Sequence, residues 1–524
     1  MRIAALFAAT CAATLALALP KVLASQALFP DAVEYLGIAW SWVSGAGFVD
    51  PVLYSYFLPH TAPPVPALVM RAPVVPALLA APLALGASLH AVLVLHTIFA
   101  AALGAAGVFV ARRLDGMPAA AAFAIGFGLA YPWIFATQLP LTEAASVGVL
   151  LAIAACAPRA LASVPAAAGF GALVAFAWLT RPNLALAAPA FAATGLLVLG
   201  PRRALRSAPL WTALAVFAGI EQAVSLACRR ATGFPPYEHY KVLLETVAAS
   251  GAAFYQKQWI GWGAWVLSHV DAVRGLLLEN ALATLRLLFV LPDYHFVGWL
   301  ALPALVHAWL RRDDARPQRI LLALLALGLL AVHLASWGAI DPRRLLLPAG
   351  LCFWLLAASW LAHVARQIPD RRLAAAAPAL LVAAAWLLSP SAAGTTRLAA
   401  QAWHTYRTSG TRSGLEQSIA PAFCDAMDRD AIVASPDPWD VYLACGNAGW
   451  WLARDLDDEA VLARYLDDAA PGYLIVPLAQ AARFDASPRL ARVAAKQGHV
   501  LFALRDAPAR SRPWHAPPPL LPGS

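Results

Sequence analysis

The chain has 524 residues, of which 61% are hydrophobic and only 13% charged, with a formal net charge of +9. Soluble domains carry about 25% charged residues, so this composition excludes an ordinary soluble protein. It also argues against nucleic-acid binding, because the arginines punctuate the apolar runs and form no basic domain.

Hydropathy marks about eleven runs near the ~20 residues that a bilayer-spanning helix needs. They cover 3–20, 88–110, 118–137, 143–157, 164–180, 183–200, 208–227, 282–310, 319–336, 345–364 and 374–389. The expected fold class is a polytopic α-helical membrane protein, with a transmembrane domain over residues 1–390 and a small C-terminal α/β domain. The first run has a second reading, since Arg2, the apolar stretch and Val22 to Ala27 also fit a cleaved signal peptide.

Arginines mark alternate connections: Arg112 and Arg113, Arg159, Arg202 with Arg203 and Arg206, Arg311 to Arg319, and Arg366 to Arg372. The positive-inside rule puts these in the cytoplasm, together with the N-terminus. The C-terminal domain is then periplasmic, and loops 21–87 and 228–281 are the two long outside loops.

The first outside loop opens with a polar helix from Asp31 to Ser44, stopped by Gly45 and Gly47. Asp31, Glu34 and Tyr35 stand at i, i+3 and i+4 and share one helix face. A carboxylate at the mouth of an apolar bundle is costly unless it is used. If that face lines a cavity, Asp31 can take a proton from an acceptor hydroxyl. The alternative is that Asp31 caps its own helix after Pro30. A proline-rich stretch from Pro59 to Pro82 follows and contains Arg71, whose guanidinium suits a phosphate or a snorkelling contact with a headgroup.

Glu143 opens the fourth run, where the helix dipole favours an acid; at the depth of Asp31, it can converge on the same cavity. Arg181 lies in the tight outside turn Thr180-Arg181-Pro182. The second long loop carries Tyr237, His239, Tyr240, Lys241, Tyr255, Lys257, Trp259, Trp262 and Trp265, which also fit an interfacial aromatic belt. Asp341, Arg343 and Arg344 open a late run. Arg181, Arg344, Lys241 and Lys257 surround an outer-leaflet cavity with cations suited to a lipid-carrier phosphate; Asp341 pairing with Arg343 or Arg344 is the local alternative. No metal-ligand motif is present, and no cofactor is signalled.

From 391 to 507 the composition turns acidic and reads as a small α/β domain. Residues 431–435 and 473–476 read as buried strands, with helical patterns near 415–428 and 458–468. Cys11, Cys156, Cys228 and Cys352 read as inert core residues. Cys424 and Cys445 either form a disulfide, if the domain is periplasmic, or stay as two free thiols. Residues 508–524 are a proline-rich tail expected to be disordered.

Several motifs recur in one order on the outside face: Asp31, Tyr35, Ala39, Gly45 and Gly47; Arg71 to Pro76; Thr142 and Glu143; Leu179-Thr-Arg-Pro182; and Arg344 to Pro348. In this the chain resembles GT-C glycosyltransferases, in the bacterial branch related to protein O-mannosyltransferases and aminoarabinose transferases. The resemblance implies a sugar donor on a polyprenyl phosphate, handled at the periplasmic face of the bacterial inner membrane. It implies Asp31 as general base, an inverting transfer, and Arg71, Arg181 or Arg344 on the phosphate. Glu143 would hold acceptor or sugar, with Glu34, Tyr35 and Lys241 also contacting substrate. Eukaryotic O-mannosyltransferases carry an adjacent Asp-Glu pair, whereas Ala32 follows Asp31 here; the acceptor is left open as lipid, glycan or protein. A transporter or flippase for a lipid-linked glycan is the alternative reading.

Overall fold

Most apolar runs fold as helix in the computed structural model, which describes residues 2–25, 28–53, 63–237, 270–294, 297–335, 342–411, 418–452, 456 and 459–506. Among these residues seven helical stretches are long and apolar enough to cross a membrane, including Arg2–Ala24, Thr142–Ala162, Ala208–Thr232, Arg316–Leu334 and Leu347–Ala365. The bent pair formed by Arg371–Leu387 and the helix after it makes an eighth if it is one span. Val164–Thr180 and Val297–Leu310 are shorter apolar helices. The chain is a multi-pass membrane protein.

The run expected as one helix over 282–310 is broken. A helix over Val270–Leu285 passes into a π turn at Arg286–Val290 and a 3-10 turn at Pro292–Tyr294 before Val297–Leu310 begins. Pro292 has no amide proton to continue the ladder. The helix Gly107–Gly126 is likewise kinked, at Asp115 and Gly116, where Gly116 has φ +79°. Glycine alone enters that left-handed region without a steric penalty.

The chain groups into two compact units, and the boundary is not the linear one at residue 390. The first unit holds residues 1–24, 93–226 and 274–410. Leu347–Ala365 runs through its centre, with Trp354 fully buried. A helix over Pro390–Ser409 packs beside Arg2–Ala24 in this unit, although its Ser, Thr, Gln and Arg content placed it outside the apolar runs.

The second unit holds residues 25–92, 227–273 and 411–524. Its six-stranded sheet has the order β2-β5-β4-β6-β8-β7, from β2 (Val52–Leu53), β4 (Ile432–Ser435), β5 (Ala448–Trp451), β6 (Tyr473–Pro477), β7 (Leu490–Lys496) and β8 (His499–Leu504). A separate two-stranded pair joins β1 (Val49–Asp50) to β3 (Val65–Pro66). β2 pairs parallel with β5, Val52 opposite Gly449, so the segment between the first two long apolar runs supplies a strand to the C-terminal sheet. The Pro438–Cys445 helix, not expected from sequence, connects parallel β4 to β5, and Glu459–Ala469 precedes β6, matching the helical pattern expected near 458–468. Of the helix expected near 415–428, residues 415–417 lie outside the described residues, and the rest holds 3-10 turns at Ala420–Ala422 and Cys424–Ala426, with Pro421 interrupting the amide ladder. Cys424 and Cys445 are joined as a disulfide.

Candidate functional site

The sequence-predicted residues fall into two clusters, one in each unit. In the second unit the Pro30–Val43 helix begins with Pro30 at its first position and Phe29 as its extended N-cap, with no side-chain cap. Asp31 therefore does not cap its helix. Its Oδ1 accepts a hydrogen bond from Arg71 Nη2 at 3.1 Å.

Arg71 follows the short Ala67–Met70 turn in an extended conformation and is buried. Its Nε donates to Glu34 Oε2 at 2.5 Å, and its Nη2 also pairs with that oxygen. The guanidinium stands 5.8 Å from the centre of the Tyr35 ring. One arginine thus touches all three residues of the face read from the i, i+3, i+4 spacing. The Asp31 side chain is 21% exposed and that of Glu34 only 1%. Arg71 and Glu34, both expected to touch substrate, are buried against each other, and Asp31 is the carboxylate of the pair that reaches solvent.

Three partners of this cluster were not anticipated. Trp439, on the Pro438–Cys445 helix, donates its indole N–H to Glu34 Oε1 at 3.2 Å. Tyr442, one turn on, donates to the Gly37 carbonyl at 3.1 Å and lies 3.2 Å from Ser41 Oγ. Gly37 allows that approach, since a Cβ there would lie 3.1 Å from the Tyr442 ring and 3.0 Å from Pro51. The third is Asp50, fully buried, whose Oδ1 accepts from the Val52 amide at 3.2 Å. Its Oδ2 has no hydrogen-bond partner among the described residues.

Burial dominates the electrostatics here. It pushes Glu34 up to about 7, against the lowering pull of Arg71 and with a further push from Asp31. It also holds Asp50 well above the usual carboxylate range, aided by the Glu34 carboxylate. Three carboxyl groups around one guanidinium cannot all ionise cheaply without water. A local pattern offers no signal for Asp50, Trp439 or Tyr442, because each reaches the cluster through strand or helix pairing remote in sequence.

In the first unit Glu143 opens the Thr142–Ala162 helix and is buried. Its Oε1 lies 3.3 Å from Arg181 Nη1 and 3.4 Å from Arg344 Nε. Arg181 ends the Val164–Thr180 helix just before the 3-10 turn Pro182–Leu186, and Arg344 belongs to the short Pro342–Leu345 turn. The neighbouring Arg343 pairs with Asp293 at 2.9 Å and stands 5.6 Å from the Tyr131 ring centre. The sequence thus selected three residues that meet, while Asp293 and Tyr131 went unnoticed. Lys241, Lys257 and Asp341 lie outside the described residues.

A further charged cluster of the first unit surrounds Asp115, at the helix kink. Arg311 reaches it at 2.5 Å and Arg366 at 2.9 Å, with Arg319 at 3.5 Å and Ser359 also bonded. No group of residues suited to a metal ion occurs among the described residues.

No protein-family model matches the chain. No curated protein matches it in sequence. Solved structures do match. That of ArnT from Cupriavidus metallidurans bound to undecaprenyl phosphate has a TM-score of 0.56 and 15% identity, over 95% of this chain and 97% of that one. Archaeal oligosaccharyltransferase AglB from Archaeoglobus fulgidus, in complex with an inhibitory peptide and a dolichol-phosphate, has a TM-score of 0.55 and 13% identity, over 91% of this chain and 69% of that one. The chain shares the fold of these two structures. Within this fold the Asp31–Arg71–Glu34 cluster and the Glu143–Arg181–Arg344 cluster concentrate the buried ionic groups among the residues expected on the outside face.

Proposed function

We propose that this protein is a membrane glycosyltransferase that moves a sugar from a polyprenyl-phosphate donor to an acceptor, with inversion, and with Asp31 as general base. The observation that carries this reading is Asp31 itself. It is a partly exposed carboxylate, oriented by a buried arginine instead of being used as a helix cap. Asp31 takes the proton of the acceptor hydroxyl, the acceptor oxygen forms its bond to the anomeric carbon, and the bond from that carbon to the phosphate oxygen breaks. The electron pair leaves with the lipid phosphate.

Support for a lipid-phosphate donor comes from the shared fold, since the ArnT structure holds undecaprenyl phosphate and the AglB structure a dolichol-phosphate. Arg181 and Arg344 are assigned to the phosphate, with Glu143 fixing their geometry. Charge developing on a departing phosphate is what such guanidinium groups stabilise. Arg71 and Glu34 are assigned to orienting Asp31, and Tyr35 to packing against Arg71.

The protein is placed in a bacterial inner membrane, N-terminus cytoplasmic and second unit periplasmic. The arginine distribution supports this orientation. So does the Cys424–Cys445 disulfide, which persists in an oxidising compartment.

The test is transfer from polyprenyl-phosphate sugars in reconstituted vesicles, with products identified by mass spectrometry. The wild-type chain should transfer sugar, and Asp31→Asn should abolish transfer while remaining folded. Movement of labelled lipid across the bilayer with no covalent change would instead identify a transporter.

A further inference from the structure

Trp439 is the second residue of the Pro438–Cys445 helix and is 8% exposed. It stands at the start of an unbroken chain of hydrogen bonds. Its indole N–H reaches Glu34 Oε1 at 3.2 Å, Arg71 Nε reaches Glu34 Oε2 at 2.5 Å, and Arg71 Nη2 reaches Asp31 Oδ1 at 3.1 Å. Each oxygen of Glu34 therefore has its own donor, one from the C-terminal region and one from the first loop. We infer that Trp439 is a positioning residue for Asp31, acting through Glu34 and Arg71; this deepens the proposed function and rests on it.

Three features argue for positioning over simple packing. First, the helix that carries the donor is anchored by contacts besides the indole bond. Tyr442, on the same helix, bonds to the Gly37 carbonyl, and Cys445 at the helix end is tied to Cys424. A donor fixed in this way is preorganised, as a supporting residue must be. Second, the Glu34 side chain is 1% exposed, so water cannot replace a lost indole bond, and the carboxylate would turn toward its remaining donors. Third, Arg71 is a planar fork that grips Glu34 and Asp31 together, so rotation of one carboxylate is transmitted to the other.

The test uses the full-length protein with Trp439→Phe, which keeps an aromatic ring and removes the N–H. The charged groups around Glu34 are Arg71, Asp31 and Asp50, and none is altered. Glu34 is followed by its infrared carboxyl band, assigned by difference from Glu34→Gln. In Trp439→Phe the proton affinity of Glu34 should rise about ten-fold, because a bond favouring the anion is gone. The kcat for sugar transfer should fall roughly ten-fold or more, with little change in KM for the donor. Tyr442→Phe, which also loosens this helix, should leave the Glu34 titration unmoved.

An unshifted Glu34 band, or an unchanged kcat while Asp31→Asn is inactive, overturns the positioning role and leaves the proposed function standing. Equal titration shifts in Trp439→Phe and Tyr442→Phe overturn it as well, since the effect would then be general loosening. Full transfer by Asp31→Asn overturns the proposed function, and the positioning role with it. The infrared band identifies which has failed, because it reads the Trp439–Glu34 bond without turnover.

Discussion

Asp50 and Glu34 are two buried carboxyl groups beside a single guanidinium, that of Arg71, and the Glu34 carboxylate makes Asp50 harder to ionise. Burial is the larger cause at both positions. The folded state therefore keeps protons that the unfolded chain releases.

This sets a pH dependence of stability. The folded pKa of Glu34 lies above its ordinary value of 4.5, at about 7. Between those values the native state binds more protons than the unfolded state, so stability falls as pH rises. Asp50 contributes with the same sign. In detergent, the second unit should melt at a lower temperature at pH 8 than at pH 5. Glu34→Gln and Asp50→Asn should each flatten that difference, followed by tryptophan fluorescence.

The two clusters should separate in kinetics. Asp31→Asn removes the proposed base and should lower kcat by about 10²–10⁴-fold with donor KM little changed. Arg344→Gln removes a proposed phosphate contact and should raise donor KM about ten-fold or more. Steady-state rates over a range of lipid-donor concentrations distinguish the two patterns.

Asp115 should matter for stability more than for chemistry. Its carboxylate sits in a kink among Arg311, Arg319 and Arg366 and is 3% exposed. Asp115→Asn removes one of two counter-ions from Arg311 and Arg319, which keep Asp313, a loss of about 1.5–3 kcal/mol. A clear drop in melting temperature, with donor KM retained in the surviving folded fraction, is the expected result.

The disulfide is checked by counting thiols. Of the six cysteines, Cys11, Cys156, Cys228 and Cys352 are free. The denatured, unreduced protein should therefore titrate four thiols, and the reduced protein six. Cys424→Ser with Cys445→Ser should cost about 3 kcal/mol of stability, from the loop closure that the bond supplies.

Much of this architecture is legible in sequence because a bilayer imposes long apolar helices, and those are visible residue by residue. The shared face of Asp31, Glu34 and Tyr35 follows from helical spacing alone. Glu143, Arg181 and Arg344 stood out as charges beside apolar runs, although nothing local said that they would pair. Hydropathy could not register the Pro390–Ser409 helix, which is polar in composition. Nor could it find Asp50 or Trp439, whose burial depends on which strand and which helix come to lie beside Glu34. The break at Pro292 is written in the chain, where Pro292, Asp293 and His295 interrupt a run that averages as apolar.

The pairing of Val52 and Leu53 with Gly449 and Trp450 bears on how the molecule is made. A ribosome produces β2 hundreds of residues before its neighbour β5 exists. Until then that edge has no native partner, and unpaired strand edges are prone to wrong associations. The sheet has a high contact order, so its closure is slow relative to the local helices. The second unit thus completes only when the end of the chain has emerged, and any early stop upstream of Gly449 leaves β2 as an orphan edge.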